Sequence, residues 1–234
     1  MMLRVSNINS FYGAAHILHD LSITMGAGET VALLGRNGAG KSTLMKSIIG
    51  IVTPRSGAVS FKGEEIAGLE PFAVARRGIG FVPEDRRIFV SLSVAENLEV
   101  GRRSARSSQA GWTPERLYEV FPNLAEMRGR QAGHMSGGEQ QMLTIARTLM
   151  GNPELILLDE PSEGLAPKIV EQMADAILRL GRTGMTVLIS EQNMHFAGLV
   201  SERAYVIEKG QIKFSGTMQE LMGDEDIRRN YLAL

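Results

Sequence analysis

Residues 35–42 read Gly-Arg-Asn-Gly-Ala-Gly-Lys-Ser and lie between an apolar run, Thr30–Leu34, and a helical pattern, Lys41–Ile49. This stretch matches the pattern G-x-x-x-x-G-K-[ST], which binds phosphate groups where it connects a strand to a helix. Its three glycines allow backbone conformations that are closed to residues with a Cβ, so backbone N–H groups can surround an anion. A glycine-rich turn before a helix would also fit, but the strand-loop-helix context favours a phosphate-binding loop.

Two side chains at the end of this loop carry its chemistry. Lys41 can bridge the terminal phosphates of a nucleotide, and the Ser42 hydroxyl is placed to ligate Mg²⁺. The positive end of the helix that begins at Lys41 adds to the same electrostatic field. The loop therefore predicts a nucleotide-binding site.

A second acidic element follows the apolar run Leu155–Leu158, which ends in Asp159 and Glu160. Buried carboxylates at the end of a strand need a partner that compensates their charge, such as a cation. Adjacent strand residues face opposite ways, so we expect Asp159 to hold Mg²⁺, directly or through water, and Glu160 to act as general base. Taken alone, such a run is more often a strand that leaves the core. Its pairing with the phosphate loop favours the functional interpretation.

The hydrophobic pattern places these motifs in an α/β core, because β-branched apolar runs alternate with helical segments. The predicted parallel strands are Thr30–Leu34, Ile79–Val82, Leu155–Leu158 and Thr186–Ile189. The predicted helices are Lys41–Ile49, Glu139–Met150 and Pro167–Leu180, the last ending at Gly181. Half-exposed antiparallel strands are predicted at Leu3–Ile8, Leu21–Met25 and Ala58–Lys62, and a hairpin at Ala204–Ile207 with Gln211–Phe214.

The stretch from about residue 91 to residue 139 has a different sequence pattern and is predicted to be mainly helical. Ser93 and Glu96 form a capping box, and Pro114 stands at the first turn of another helix. A solvated loop is predicted for the cluster of Arg102, Arg103 and Arg106.

The composition excludes several classes of function. Twenty-five Lys and Arg residues against 26 Asp and Glu residues leave a net charge of -1, so we expect no nucleic-acid partner. The absence of cysteine excludes disulfides, thiolate catalysis and Cys-based zinc sites. The longest apolar runs are far below the roughly 18 residues of a membrane span, and no signal-peptide pattern opens the chain. We therefore expect a chain that reaches a membrane only through a partner.

Residues 136–141, which read Ser-Gly-Gly-Glu-Gln-Gln, form a third motif that we call the signature segment. Ser136 can cap the following helix, Glu139 completes a capping box, and the glycines expose backbone N–H groups to an anion. Local physics alone favours a simple well-capped helix, because one chain should not need two phosphate sites.

This segment closely resembles the signature of ATP-binding cassette (ABC) ATPases, and the resemblance covers essentially the whole chain. It implies an α/β fold with a P-loop NTPase core, an antiparallel β subdomain and a helical subdomain. In that family two cassettes dimerise head to tail, and each signature contacts the γ-phosphate held by the other cassette. The implied organisation is one domain, with residues 1–90 and 151–234 forming the core and β subdomain and residues 91–150 the helical subdomain.

The resemblance also implies the ligands, ATP and Mg²⁺, and their residues. The implied nucleotide-binding residues are Tyr12, Gly35, Asn37, Gly38, Ala39, Gly40, Lys41, Ser42, Thr43, Ser136, Gly137, Gly138 and Glu139. The implied metal ligands are Ser42, Glu84 and Asp159, and the implied catalytic residues are Lys41, Glu160 and Gln192. Tyr12 matches the aromatic residue that stacks on adenine, although an ordinary aromatic at a strand end fits it too.

Three departures from the family pattern point to one branch of the family. Glu84 stands where the family usually has Gln, Gln192 where it has His, and Ala166 where it has Asp. At all three positions the residue is similar to that in the ATP-binding subunits of branched-chain amino acid importers and of related amide or urea importers. Gln192 can donate a hydrogen bond to the γ-phosphate but cannot carry a charge. A plain reading of Glu84 and Gln192, as polar residues at strand ends, stays open.

The sequence thus predicts an ATP hydrolase that drives an importer from the cytoplasmic face of the inner membrane, with branched-chain amino acids as the expected solute and amides, urea or another solute as the alternative. The expected partners are a second cassette in a homodimer or heterodimer, separate transmembrane permease subunits and, indirectly, a solute-binding protein. One alternative is a cassette ATPase of repair or translation, which the single phosphate loop and the lack of heptads disfavour. Another is a nucleotide-gated binding module, which Glu160 argues against and Gln192 keeps open.

Overall fold

The computed structural model describes residues 1–104 and 111–232. In this part of the chain the strands are β1 Leu3–Tyr12, β2 Ala15–Met25, β3 Thr30–Leu34, β4 Ser56–Phe61, β5 Glu64–Glu65, β6 Ile79–Val82, β7 Leu155–Asp159, β8 Thr186–Glu191, β9 Arg203–Glu208 and β10 Gln211–Thr217. The α-helices are α1 Lys41–Ile48, α2 Pro71–Arg77, α3 Val94–Gly101, α4 Pro114–Val120, α5 Pro122–Glu126, α6 Gly137–Leu149, α7 Pro167–Arg182, α8 Met194–Val200, α9 Met218–Gly223 and α10 Glu225–Ile227. A 3₁₀ turn spans Ala132–His134, and a π-helical turn spans Arg228–Leu232.

The core is a six-stranded sheet with the order β10-β9-β3-β8-β7-β6. Strands β9, β3, β8, β7 and β6 pair in parallel, and β10 closes one edge as an antiparallel hairpin with β9. Every residue of β7 and β8 is buried, as expected of strands covered on both faces. The predicted parallel strands and the hairpin are confirmed.

The register of this sheet brings the motif residues to one edge. Leu34 at the end of β3 pairs with Glu191 at the end of β8, and Asp159 at the end of β7 pairs with Ser190. The carboxyl ends of three neighbouring strands therefore meet where the phosphate loop begins. Ligands of open α/β sheets bind at such an edge.

A second sheet, with the order β2-β1-β4-β5, is antiparallel and lies beside α1. Its buried side chains, such as Leu3 and Val5, share one apolar core with Leu44 of α1 and Leu157 of β7. The alternation of buried and exposed residues confirms the predicted half-exposed strands. Strand β1 ends later and β2 begins earlier than predicted, whereas β4 begins two residues earlier and ends one residue earlier.

The stretch between β6 and β7 is helical, as predicted, and its longest helix, α6, packs against α3 and β6. The capping box of Ser93 and Glu96 is formed, and Thr113 caps α4. Arg102 and Arg103 are exposed, whereas Arg106 lies outside the described residues. The division at residues 90 and 150 stays a prediction. Within residues 1–104 and 111–232, no helix is both long enough and apolar enough to cross a bilayer.

Helix α7 does not end where the sequence predicted. It continues through Gly181 to Arg182, and the left-handed residue beyond it is Gly184, with φ +82°. Both glycines fit the C-terminal signal in sequence, but only Gly184 takes the left-handed conformation that ends helices.

Gly210, in the turn between β9 and β10, links the phosphate loop to the antiparallel sheet. Its N–H donates to the Ala39 carbonyl at 2.8 Å, and its carbonyl accepts from the His19 N–H at 3.0 Å. Its φ is +75°, and a Cβ there would overlap the Ile17 carbonyl oxygen. The left-handed backbone conformation and the close approach to Ile17 therefore both require glycine at this position.

We expect Gly210→Ala to lower the free energy of unfolding by at least about 2 kcal/mol, because it adds a backbone clash to left-handed strain. Gly63 is the matched control, since its φ is +85° but a Cβ there would meet open space. Gly63→Ala should cost only about 1 kcal/mol. Urea unfolding followed by circular dichroism measures both, and equal losses would contradict the proposed clash.

Candidate active site

Lys41 lies at the centre of the phosphate loop and is 3% exposed. Its ammonium donates to the carbonyl oxygens of Gly35 at 2.8 Å and of Arg36 at 3.1 Å. It also forms an ion pair with Glu160, with 2.9 Å between Nζ and Oε1. A buried ammonium thus finds three oxygen partners, and the loop is folded around it.

Two glycines let the loop take this shape. Gly40, with φ +113°, precedes α1, and no side chain caps the N terminus of that helix. A Cβ at Gly35 would overlap the Ile207 carbonyl oxygen of β9, so the loop can pass this close to the sheet only with glycine. The first N–H groups of a helix need acceptors, and an anion suits the uncapped end of α1. Asn37 and Gly38 are exposed here, whereas Ala39 and Thr43 are buried.

Asp159 lies next to the first turn of α1. Its Oδ1 accepts hydrogen bonds from the Ser42 hydroxyl at 3.0 Å and from the Ser190 hydroxyl at 2.6 Å. Burial raises the pKa of Asp159, although the hydrogen bonds from Ser190 and Ser42 oppose that shift. Two predicted metal ligands, Ser42 and Asp159, are therefore in direct contact.

Glu160 stands one residue beyond the end of β7, in a left-handed conformation with φ 47°. Its N–H donates to the hydroxyl of Ser190 at 3.0 Å and to the carbonyl of the same residue at 3.1 Å. The predicted reason for the separation of Asp159 from Glu160, the alternation of strand residues, is wrong. The chain turns after Asp159, and this turn directs the Glu160 carboxylate toward Lys41.

Gln192 connects Glu160 to the phosphate loop. Its Nε2 donates to Glu160 Oε2 at 2.8 Å and to Asn37 Oδ1 at 2.6 Å. Burial of Glu160 opposes its ionisation, but hydrogen bonds from Glu163, Lys41 and Gln192 outweigh burial and lower the pKa of Glu160. The three residues predicted to be catalytic, Lys41, Glu160 and Gln192, therefore form one cluster with a carboxylate kept ionised.

Tyr12 and Glu84 border a neighbouring cleft of about 670 Å³, which Lys46 of α1 and Asp159 also line. Tyr12 is 49% exposed at the end of β1, and Glu84 is exposed in the loop after β6. The cleft leads from the acidic end of β7 to the Tyr12 ring. Both residues thus share a space with Asp159, without a direct bond to it.

The signature segment forms a separate group at the start of α6. Ser136 caps this helix, its N–H donates to Glu139 Oε2 at 2.7 Å, and its hydroxyl accepts from the Glu139 N–H at 3.4 Å. The Arg86 guanidinium lies against Gly137, and Ile169 lies against Gly138. Within the part of the chain that the structure describes, no hydrogen bond or ion pair joins Ser136–Glu139 to the phosphate loop.

Comparison with known proteins agrees with this geometry. The family model described as ABC transporter matches residues 18–163. The chain belongs to the ABC transporter family. It is 43% identical over 231 residues to the high-affinity branched-chain amino acid transport ATP-binding protein BraG of Pseudomonas aeruginosa, with 99% of each chain covered. It is 37% identical to the lipopolysaccharide export system ATP-binding protein LptB of Haemophilus influenzae, covering 99% of this chain and 97% of that protein.

Among solved structures, the ADP conformation of an ATP-binding cassette of an ABC transporter superposes with a TM-score of 0.83 at 28% identity, with 97% of both chains covered. These relatives confirm the predicted fold class, a P-loop ABC ATPase core. As a member of this family the chain binds nucleotide and hydrolyses ATP. The roles of individual residues stay predictions.

Sequence reasoning missed two residues that organise the site of this ABC ATPase. Ser190 joins Asp159 to the Glu160 backbone. Glu191, 2% exposed, accepts from the N–H groups of Ser162 at 3.1 Å and Asn193 at 3.4 Å, and burial raises its pKa. Both follow the apolar strand Thr186–Ile189. Polar residues at the carboxyl end of a buried parallel strand were the available signal.

We expect Ser190→Ala to slow ATP hydrolysis by about 10- to 100-fold, because Asp159 and Glu160 lose the hydroxyl that holds both. The free energy of unfolding should fall by about 1–2 kcal/mol. Ser10→Ala is the control, since Ser10 forms a buried hydroxyl pair with Ser47 at 2.8 Å outside the site. Both variants should lose similar stability in urea. Equal ATPase rates would show that Ser190 has no role in the site.

Proposed function

We propose that this ABC ATPase is the ATP-binding subunit of an importer and that Glu160 is the general base of its ATP hydrolysis. The observation that carries the proposal is the cluster beside Asp159 in which the buried Lys41 and Glu160 meet the exposed Gln192 and Asn37. It combines a phosphate-binding loop, an ionised base and an acidic metal ligand at the edge of one sheet.

The loop residues would bind the phosphates of the nucleotide. Gly35, Gly38 and Gly40 permit its shape, and the uncapped start of α1 supplies N–H donors near Ser42 and Thr43. Lys41 carries a buried positive charge that favours the terminal phosphates. The ring of Tyr12 would stack on the adenine, which its exposure in the adjoining cleft allows.

Ser42 and Asp159 would hold Mg²⁺ together with Glu84, which lines the same cleft as Asp159. The residues fit this ion, because hydroxyl and carboxylate oxygens are the ligands that Mg²⁺ prefers. No group of three or more His, Cys, Asp or Glu side chains in residues 1–104 and 111–232 could hold a metal alone. Mg²⁺ usually relies on one or two carboxylates, water and substrate phosphates, and when bound it neutralises phosphate charge.

Glu160 would take a proton from the water that attacks the γ-phosphate. Lys41 and Gln192 each donate to one carboxylate oxygen, so the side chain is fixed and ionised. A general base must be ionised to accept that proton. The Gln192 amide orients the base and reaches Asn37 of the phosphate loop, but it carries no charge.

The signature segment supports the proposal of a dimer. Ser136, Gly137, Gly138 and Glu139 lie apart from the phosphate loop, and their helix N terminus suits an anion. We propose that they contact the nucleotide of a second cassette, identical or different. Two composite sites would then form from two chains.

The proposal of a membrane partner is supported by an apolar cleft of about 520 Å³ that residues of α2 and α3 line. Phe72, Phe89 and Val100 line it, and each is roughly half exposed. Exposed apolar clusters of this kind mark binding surfaces. We propose that permease subunits bind here and hold this subunit at the cytoplasmic face of the membrane.

The proposed solute class is branched-chain amino acids, because the identity to BraG is 43% over nearly the whole of both chains. Amides or urea are the next candidates, on the resemblance of Glu84, Ala166 and Gln192. The solute itself would be bound by other subunits, including a solute-binding protein.

We expect Glu160→Gln to lower the rate of ATP hydrolysis by about 10²- to 10⁴-fold while ATP-dependent dimers still form, because the amide cannot accept a proton. Lys41→Ala should instead abolish nucleotide binding, and Lys62→Ala, which removes an exposed lysine, should leave it intact. A phosphate-release assay, nucleotide titration and size-exclusion chromatography measure these effects. Turnover that survives in Glu160→Gln would exclude Glu160 as the base.

The transport assignment predicts that permease subunits encoded beside this gene stimulate its ATPase activity in proteoliposomes, and that a branched-chain amino acid with its binding protein stimulates it further. Lipopolysaccharide is the comparison substrate, since the relative LptB belongs to an export system. Stimulation by an amide or urea instead would reassign the solute. No stimulation by any permease would contradict the importer function.

A further inference from the structure

Tyr12 stands at the end of β1, beside a group of stacked side chains. Its neighbour Phe11 pairs with His16 of β2, and their rings are stacked with 4.0 Å between centroids and 10° between planes. The Arg55 guanidinium lies over the Phe11 ring at 4.0 Å from its centroid, and the His19 ring centroid lies 3.8 Å from that of His16. We call these four side chains, Arg55, Phe11, His16 and His19, the side-chain stack.

Arg55 also bonds to the backbone on both sides of Tyr12. Its Nη2 donates to the carbonyl of Gly13, in the turn after Tyr12, at 2.5 Å. Its backbone N–H donates to the carbonyl of Asn9, in the strand before Tyr12, at 2.8 Å. A planar guanidinium can lie over a ring and donate hydrogen bonds in its own plane at the same time. Arg55 therefore joins the end of β1 to the turn that follows it.

The other end of the side-chain stack reaches the phosphate loop. The His19 ring lies against Gly210, and the His19 N–H donates to the Gly210 carbonyl at 3.0 Å. The Gly210 N–H in turn donates to the Ala39 carbonyl of the phosphate loop at 2.8 Å. The stack thus extends from the turn beside Tyr12 to the backbone that holds the loop.

The Tyr12 ring lies on the cleft side of this strand end. Tyr12 lines the cleft that also contains Asp159, and its side chain is 49% exposed. Successive side chains of a strand point to opposite faces, so Phe11 and its stack lie on the other face. A ring held in place before a ligand arrives loses less conformational entropy on binding than a free one. A fixed strand end therefore favours binding of a ligand to the Tyr12 ring.

We propose that Arg55 is a positioning residue for adenine recognition, which fixes Tyr12 at a set distance from the phosphate loop through the Phe11 ring and the Gly13 carbonyl. The inference rests on the proposed stacking of Tyr12 on adenine. Among the described residues, Arg55 is not one of those that line the cleft, so its effect passes through Tyr12. Binding of the base should therefore depend on Arg55, whereas binding of the phosphates should not.

The test compares ATP with inorganic tripolyphosphate, which carries three phosphates and no base, in competition titrations of the whole chain with Mg²⁺. We expect Arg55→Gln to weaken ATP binding by about threefold to tenfold and to leave the affinity for tripolyphosphate unchanged. The KM for ATP should rise by the same factor at an unchanged kcat. Arg128→Gln is the matched control, since Arg128 also lies over a ring, that of Tyr118, and donates to a backbone carbonyl, that of Ala125. It should leave ATP binding unchanged.

A double variant separates positioning from a direct effect of the Arg55 charge. Tyr12→Ala should weaken ATP binding by about tenfold, and Arg55→Gln should add nothing in that background, because its effect needs the ring. Additive losses, a weaker affinity of Arg55→Gln for tripolyphosphate, or an equal loss in Arg128→Gln would overturn the proposal.

The same titrations separate this inference from the function on which it rests. Weakened ATP binding in Tyr12→Ala beside normal binding in Arg55→Gln would overturn the positioning role alone. Normal ATP binding in Tyr12→Ala would instead overturn the proposed stacking on adenine.

Discussion

The structure around the phosphate loop depends on the burial of one positive charge, the ammonium of Lys41. A buried charge is stable only when it is paired and hydrogen-bonded, and here two loop carbonyls and Glu160 meet that need. Removing one partner of such a pair typically costs about 3–5 kcal/mol, whereas apolar replacements of the whole pair are often neutral. Stability therefore does not explain why the pair exists. The proposed function explains it, because such a site must attract phosphate and keep the proposed base, Glu160, ionised.

Two carboxyl groups in one turn show how the surroundings of a residue set its chemistry. Glu160 accepts hydrogen bonds from Lys41, Gln192 and Glu163, so its pKa is lowered despite burial. Glu163 faces carboxylates, so its pKa is raised. Two glutamates three positions apart thus have pKa values shifted in opposite directions.

The sequence predicted what is decided locally. Thr30–Leu34 and Ile79–Val82 have their predicted bounds, since short apolar runs bounded by glycine or charge leave little choice of strand ends. The order of the strands is not local, and no pattern indicated that β8 would lie between β3 and β7. That order sets Ser190 opposite Asp159, so the role of Ser190 could not be predicted. The left-handed turn at Glu160 escaped prediction too, because glutamate rarely adopts it.

Glu84, one of the proposed metal ligands, is connected to the signature segment through helix α6 and not through the sheet. The Thr144 hydroxyl of α6 donates to the Arg86 carbonyl, and the Arg147 guanidinium donates to the Arg87 carbonyl. These two bonds attach the loop that carries Glu84 to the helix that begins at the signature segment. The Arg86 side chain returns to Gly137, the first residue of the same helix. Residues that sequence analysis assigned to two different composite sites therefore lie on one helix and the loop attached to it.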